Sequence, residues 1–163
     1  AIMSAKPSKS ALKQELVSLL QRDLEVLQRA HRASQEGATH EEAKPENDKD
    51  TRALEQSYLA RGQARRVDDL SSALSAVQAM SLRPFRDDQP IAIGALVQVE
   101  EDDQERLFFI APEGGGTALA DGAVQVVTPR SPLGRALLGK RVGDVCSLSV
   151  ASRTRELAVV GIE

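Results

Sequence analysis

The chain has 163 residues, of which 41% are hydrophobic, 28% are charged and only 2% are aromatic, and its formal net charge is −3. That length suits one domain or two small ones. The scarce aromatic side chains argue against a base-stacking nucleic-acid binder and against one large compact core. A single cysteine excludes an intrachain disulfide, and two histidines leave little for a zinc enzyme. With no run of 18 apolar residues and no signal-peptide pattern, we expect a cytoplasmic protein without a membrane partner.

Leucines in the first eighty residues recur at spacings of three and four, which is typical of a helix with one apolar face. The first such stripe consists of Leu12, Leu16, Leu19, Leu20, Leu24 and Leu27, and the second of Val67, Leu70, Leu74 and Val77. Because neither stripe can bury itself alone, residues 8–82 are expected to form an antiparallel α-helical coiled-coil hairpin.

Several residues in this part of the sequence are typical of helix starts or helix ends. Gly37 stands where a left-handed cap would end the first helix. The second helix begins either near His40, after a Thr39–Glu42 capping box, or at Pro45. The later start is favoured, because Pro45 inside a helix would cost a hydrogen bond.

The second half of the chain changes to strand-like segments rich in β-branched residues and bounded by turns. The predicted strands are Ile91–Val99, Leu107–Ile110, Val124–Val127, Cys146–Val150 and Glu156–Ile162. Ser131 as N-cap and Pro132 at the first helical position predict one helix that runs to Leu138. We therefore expect a small, mostly antiparallel α+β domain over 91–163, preceded by a linker at 83–90 that permits a hinge.

Acidic residues crowd the point where the hairpin folds back, near 41–50. Six acids and two lysines lie between Glu36 and Asp50. Such a concentration of like charge is unfavourable for folding and suggests a partner or an ion. The alternative is an ordinary solvated turn, where the start of a helix favours acids anyway.

The same folding-back predicts a basic band behind the acidic turn, because it brings arginines of the two helices side by side. They are Arg22 and Arg29 of the first helix and Arg61, Arg65 and Arg66 of the second. The alternative is the ordinary charged outer face of a coiled coil.

Motifs of self-sufficient catalysis are absent, so we expect no enzyme activity from the chain alone. There is no Gly-x-Ser-x-Gly motif, no phosphate-binding loop and no pair of histidines at zinc-helix spacing. Cys146 lies in an apolar strand and is expected to be a buried, inert thiol. His31 is expected to be a helix-surface residue.

One long run of residues resembles a known family. Ser131-Pro132-Leu133-Gly134-Arg135, continued to Val145, resembles the signature in the C-terminal domain of the GreA/GreB transcript cleavage factors. That resemblance implies an FKBP-like C-terminal domain which docks on RNA polymerase, and Ser131–Arg135 would belong to the docking region. The helical hairpin would then enter the polymerase's secondary channel.

The hairpin tip is similar to the family's Glu-Asn-Ala-Glu-Tyr element at Glu46-Asn47 and Asp50, with Glu42 near the family's first acid. The resemblance implies that Glu42, Glu46, Asp48 and Asp50 assist cleavage of backtracked RNA by the polymerase. Glu46 and Asp50 would help to hold a Mg²⁺ shared with the polymerase, and the chain would need no cofactor of its own. The basic band would contact nascent RNA, and a monomer is expected.

Two alternatives remain open. The family's Gly-Asp pair is missing here and Lys44-Pro45 interrupts the tip, which favours a channel-binding regulator that does not promote cleavage. The other alternative is a coiled-coil interaction module unrelated to polymerase.

Overall fold

The computed structural model describes residues 6–42 and 47–163, with backbone alone at 37–42, 47–50, 53 and 56. Its elements are α1 (Lys9–Glu42), α2 (Asn47–Ala79), β1 (Leu96–Glu101), β2 (Gln104–Ile110), β3 (Ala118–Leu119), β4 (Val124–Val127), α3 (Pro132–Leu137), β5 (Val145–Val150) and β6 (Arg153–Ile162). Two long helices precede a six-stranded sheet with one short helix, which confirms the predicted α+β class.

The observed helix bounds confirm the predicted start of α1 and correct its predicted end. Ser8 caps α1, because its hydroxyl accepts a hydrogen bond from the Ala11 N–H at 3.1 Å. The prediction that α1 ends before Gly37 is wrong, since the helix continues to Glu42. One interior glycine costs about 1 kcal/mol, which cooperative helix propagation through a 34-residue helix absorbs.

The second helix begins at Asn47, so the later of the two predicted starts is the better one. Thr39–Glu42 lies inside α1 instead of capping α2. Pro45, the expected first residue of α2, lies outside the described residues.

The described chain forms two compact units. One unit contains the chain up to Val17 together with Ser75–Glu163, and the other is Ser18–Leu74. The helical unit, Ser18–Leu74, therefore contains the adjoining ends of α1 and α2, and the β unit contains the sheet and the helix ends nearest to it.

Half-buried side chains of the helical unit recur at helical spacing on one face of each helix. The predicted antiparallel hairpin would align Leu24 with Leu70, because each further step of three or four residues along α1 would then reach a half-buried residue of α2. The aligned pairs, which we call the levels of the seam, would be Leu20–Leu74, Leu24–Leu70, Leu27–Val67, His31–Gln63 and Ser34–Ala60. On this alignment the seam is aliphatic up to Leu27 and polar or small beyond it.

The sheet has the strand order β3-β4-β2-β1-β6-β5, and all neighbouring pairs are antiparallel except β2 and β4. Two-residue turns join β1 to β2 and β5 to β6. Asp102, Asp103, Ala151 and Ser152 occupy them with φ between 50° and 62°, as hairpin turns with left-handed residues require. The predicted mostly antiparallel sheet is confirmed.

Several bounds of the predicted strands are wrong, since β2 and β6 begin three residues earlier than expected, at Gln104 and Arg153. Residues 91–95 are not part of β1, because the Ile91 N–H donates to Lys140 and its carbonyl accepts from Gly139 instead of joining a strand ladder. Gly94 then turns the chain with φ 93°. β3 was not predicted because two residues carry no readable periodicity.

The first two turns of α1 pack within the β unit. Leu12 and Leu16 are buried there, together with Val77 and Met80 at the end of α2. The Lys13 ammonium donates to the Met80 carbonyl at 2.8 Å, and the Glu15 carboxylate accepts from the Ala120 N–H at 2.9 Å. The base of the hairpin is therefore attached to the β unit by both apolar and polar contacts.

The segment 83–90, expected to be a linker, is also held by contacts within the β unit. Phe85 is buried, and the Lys9 ammonium and the Arg83 guanidinium lie 4.8 and 4.7 Å from its ring centroid. Lys9 also donates to the carbonyls of Arg83 and Glu163, and burial lowers its pKa. The Arg141 Nε atom donates to the Asp88 carbonyl at 3.0 Å.

Candidate functional site

The Ser131–Arg135 run forms the start of α3 through a tight set of hydrogen bonds. Ser131 caps the helix, because its Oγ accepts from the Gly134 N–H and donates to the Thr128 carbonyl, both at 2.9 Å. Pro132 occupies the first turn, where its missing N–H costs nothing. The predicted cap and helix start are confirmed.

Gly134 is required by the packing of this turn. A Cβ atom built there would lie 1.8 Å from the Thr128 carbonyl oxygen, far closer than any real contact. Any side chain would therefore force the loop before α3 away from the helix. This contact explains why the run needs Gly134 after Ser131, Pro132 and Leu133.

An apolar groove of about 310 Å³ opens beside the start of α3. Ser131, Pro132 and Leu133 form one side of it. Leu148 and Val150 of β5 contribute to the lining, and Val150 is 46% exposed. Since large exposed aliphatic side chains in a concave surface are typical of ligand or protein contacts, this α3 groove is the candidate docking site.

Gly134 and Arg135 are the two residues of the run that do not line the groove, and Arg135 instead contacts the preceding loop. Its side chain is exposed and donates to the Arg130 carbonyl at 3.0 Å. Arg130 in turn pairs with Glu113 at 2.7 Å. Arg135 thus steadies the loop before α3.

The predicted tip acids come from the adjoining ends of the two long helices. Glu42 is the last residue of α1, and Asp48 and Asp50 lie in the first turn of α2. Glu46 lies outside the described residues, as do the side chains of the other three acids. Their carboxylates have the oxygen chemistry that Mg²⁺ prefers. Elsewhere in the described part of the chain, no group of three or more His, Cys, Asp or Glu residues could hold a metal ion.

All five arginines of the predicted basic band are exposed on the helical unit. The alignment expected for the seam would bring Arg29 of α1 to the level of Arg65 of α2, with Arg61 and Arg66 within about one turn of it. Arg22 lies about two turns away from Arg29 along α1. The guanidinium of Arg61 is 5.5 Å from the ring centroid of Tyr58. The band therefore remains a prediction that the exposure of these side chains permits.

Comparisons with known proteins place the chain in a family. Residues 86–163 match the family model described as transcription elongation factor, GreA/GreB, C-term. The transcription elongation factor GreA of Streptococcus pneumoniae is 27% identical over 158 residues, covering 95% of this chain and 91% of that protein. The transcription inhibitor protein Gfh1 of Thermus thermophilus is 33% identical over 150 residues, covering 91% of each.

The chain belongs to the GreA/GreB family. Among solved structures, the crystal structure of Thermus thermophilus Gfh1 matches with 26% identity over 94% of this chain and 95% of that chain, with a TM-score of 0.39. The match of residues 86–163 to the family model confirms the resemblance carried by Ser131–Val145. No helix among the described residues has the length and apolar character needed to cross a membrane.

In this GreA/GreB chain the sequence interpretation missed the part of the surface next to the α3 groove. Glu101 and Arg155 form an ion pair with Nη2–Oε2 and Nε–Oε2 distances of 2.8 and 3.0 Å. Strand β6 alternates, and Leu157 and Val159 point to the core. Arg153 and Arg155 continue the same alternation, at positions where a core-facing strand would carry apolar residues. This pattern was the signal in the sequence that could have indicated the surface.

Of two further predictions about burial, the one for Cys146 is confirmed and the one for His31 is wrong. Cys146 is buried, as expected, and burial raises the pKa of its thiol, which keeps it protonated and unreactive. The expectation that His31 is a helix-surface residue is wrong, because it is half-buried and its Nδ1 atom is buried with no hydrogen-bond partner among the described residues. The Oε1 atom of Gln63 has the same property.

Proposed function

We propose that this protein is a transcription factor that binds RNA polymerase through the α3 groove and inserts its helical hairpin into the secondary channel. Membership of the GreA/GreB family supports a role in transcription. The observation that carries the docking step is the apolar groove beside Ser131, Pro132 and Leu133, which leaves Val150 46% exposed. An apolar surface of this kind is stabilised when a protein partner covers it.

Docking is tested by measuring the affinity of the full chain for core RNA polymerase. Val150→Glu puts a charge into the groove and is expected to weaken binding by at least about tenfold. Val160→Glu is the matched control, because Val160 is 40% exposed on β6 and does not line the groove. Equal affinity of the two variants would contradict docking at this groove.

Once docked, the acids at the end of the hairpin are proposed to stimulate cleavage of backtracked nascent RNA. Glu46 and Asp50 would help to hold a Mg²⁺ shared with the polymerase, and Glu42 and Asp48 would assist. A second metal supplies stabilisation of both the attacking and leaving oxygens in phosphodiester cleavage. The exposed band of Arg22, Arg29, Arg61, Arg65 and Arg66 would attract the RNA backbone.

Cleavage of RNA in stalled, backtracked polymerase complexes tests this step. Asp50→Asn removes one charge with little change of size and is expected to slow stimulated cleavage by about 10- to 100-fold. Asp69→Asn is the matched control, because Asp69 is an exposed acid on the same helix, in its C-terminal half. Single Ala variants of Glu42, Glu46 and Asp48 then rank the other tip acids.

A second candidate function is inhibition or modulation of polymerase without cleavage. Lys44-Pro45 in place of the family's uninterrupted tip element supports it, as does the 33% identity to a protein named as a transcription inhibitor. Binding of the wild-type chain without any stimulated cleavage, together with reduced RNA synthesis, would favour this function over the first. Absence of any polymerase binding would leave the coiled-coil interaction module.

A further inference from the structure

A second concave surface of the β unit, which we call the arginine notch, lies where two hairpins diverge. The last β1–β6 pair is Glu100 with Ala158, so beyond this point β6 pairs only with β5. The end of the β1–β2 hairpin and residues 153–156 of β6 enclose about 520 Å³ between them. The lining residues are Glu101, Asp102, Arg106, Arg153, Thr154, Arg155 and Glu156.

The ion pair between Glu101 and Arg155 divides the arginines of the notch into two classes. The side chain of Glu101 is only 10% exposed and that of Arg155 is 33% exposed, so this pair is an integral part of the fold. Arg106 and Arg153 are exposed, and neither side chain has an ion-pair or hydrogen-bond partner among the described residues. Two guanidinium groups are thus available to bind an external anion.

The notch adjoins the α3 groove, because Arg155 lines both and because Arg155 and Arg153 are the strand partners of Leu148 and Val150. A partner that fills the apolar groove beside Leu148 and Val150 therefore extends toward Arg106 and Arg153. We propose that the arginine notch binds an acidic side chain of the protein segment that docks in the groove. This inference rests on the proposed docking function and adds to it the charge that the partner must carry.

The mixed charge of the notch favours a protein carboxylate over a nucleic-acid backbone. Glu101, Asp102 and Glu156 stand beside the three arginines, so the surface has no excess positive charge to attract a polyanion. No aromatic side chain lines it for base stacking. A partner segment with one carboxylate beside apolar side chains would fit this surface, because its carboxylate could meet the unpaired arginines while its apolar side chains fill the groove. Bidentate contacts from arginine to a carboxylate give such recognition its specificity.

The test compares the affinity of full-length variants for core RNA polymerase at low and high salt. Arg106→Glu and Arg153→Glu are each expected to weaken binding by about tenfold at low salt, mainly through slower association, with less difference at high salt. Arg106→Lys keeps the charge and is expected to retain most of the affinity. Arg86→Glu is the charge-matched control, because Arg86 is an exposed arginine of the same unit that lines neither surface.

The outcomes separate this inference from the proposed function. If the wild-type chain does not bind polymerase, the docking function itself fails. If it binds and the notch variants bind as well as Arg86→Glu does, the docking function stands and the arginine notch has no part in it. If the notch variants instead lose affinity for a single-stranded RNA oligonucleotide while polymerase binding is unchanged, the ligand is nucleic acid and the inference is overturned.

Discussion

The β unit and the helical unit of this protein bury their apolar side chains to very different extents. Phe108, Phe109 and Leu157 lie in the β unit with at most 2% of their surface exposed. In the helical unit, Leu20 is the only buried residue among the described side chains, and Leu54, Tyr58 and Leu59 are each more than 50% exposed. Two helices alone have one shared face, so their seam is thin and every level of it matters.

The largest expected effect contrasts one leucine from each region. Leu16→Ala empties a fully buried site of the β unit and is expected to lower the free energy of unfolding by about 3 kcal/mol. Leu27→Ala, at a half-buried level of the seam, is expected to cost about 1 kcal/mol. Urea unfolding measures both, and equal costs would remove the contrast between the two units.

The next effect concerns the polar attachment of the hairpin base. Glu15→Ala leaves the N–H of Ala120 without its carboxylate acceptor at 2.9 Å, which is expected to cost about 1.5 kcal/mol. The neighbouring Gln14→Ala is the control, because Gln14 is exposed. A cost for Glu15→Ala no greater than that for Gln14→Ala would show that apolar packing alone attaches the helix.

Substitutions of His31 and Gln63, the polar level of the seam, are expected to raise the free energy of unfolding instead of lowering it. Replacing both His31 and Gln63 with leucine removes two buried polar atoms that have no partner in the described part of the chain, and is expected to stabilise the helical unit by about 1 kcal/mol. Slower amide hydrogen exchange of α1 and α2 within Ser18–Leu74 is the measurement. His31→Leu alone should gain less, because the Oε1 atom of Gln63 stays buried. A loss of protection in the double variant would mean that the polar level stabilises the seam.

The smallest effect is a pH dependence from Cys146 in the β unit. Burial holds the thiol pKa above its ordinary value of 9.0. As the pH rises past that value, the unfolded thiol ionises before the folded one, so the unfolded state is favoured and stability falls. The free energy of unfolding of Cys146→Ala, measured by urea titration between about pH 8 and pH 10, should lack this part of the slope. Parallel curves for wild type and variant would contradict the prediction.

The elements that followed from the sequence are those specified by local chemistry. Leucine spacing gave the two long helices, and the hydroxyl of Ser131 with Pro132 gave the start of α3, because these signals act within a few residues. Gly37 predicted a helix end that does not exist, because the small cost of one glycine is outweighed by the helical hydrogen bonds on both sides of it. Ile91 misled because its partners, Gly139 and Lys140, are far away in the chain.

The surroundings of the candidate site depended still more on distant residues. The signature run identified Ser131, Pro132 and Leu133 of the α3 groove, whereas Leu148 and Val150, which also line it, are ordinary strand residues in the sequence. The arginine notch is formed by β1, β2 and β6, and no local pattern links Arg106 to Arg153. His31 resembled any helix-surface residue in the sequence, and only the structure showed that its Nδ1 atom is buried.

The close approach of Gly134 to the Thr128 carbonyl has a practical consequence for reading genomes. Where another chain with the same order of elements carries a side chain at this position, the loop before its short helix must follow a different path, and the groove beside that helix must be rebuilt. One codon would then distinguish relatives whose groove can have the shape seen in this protein from those whose groove cannot.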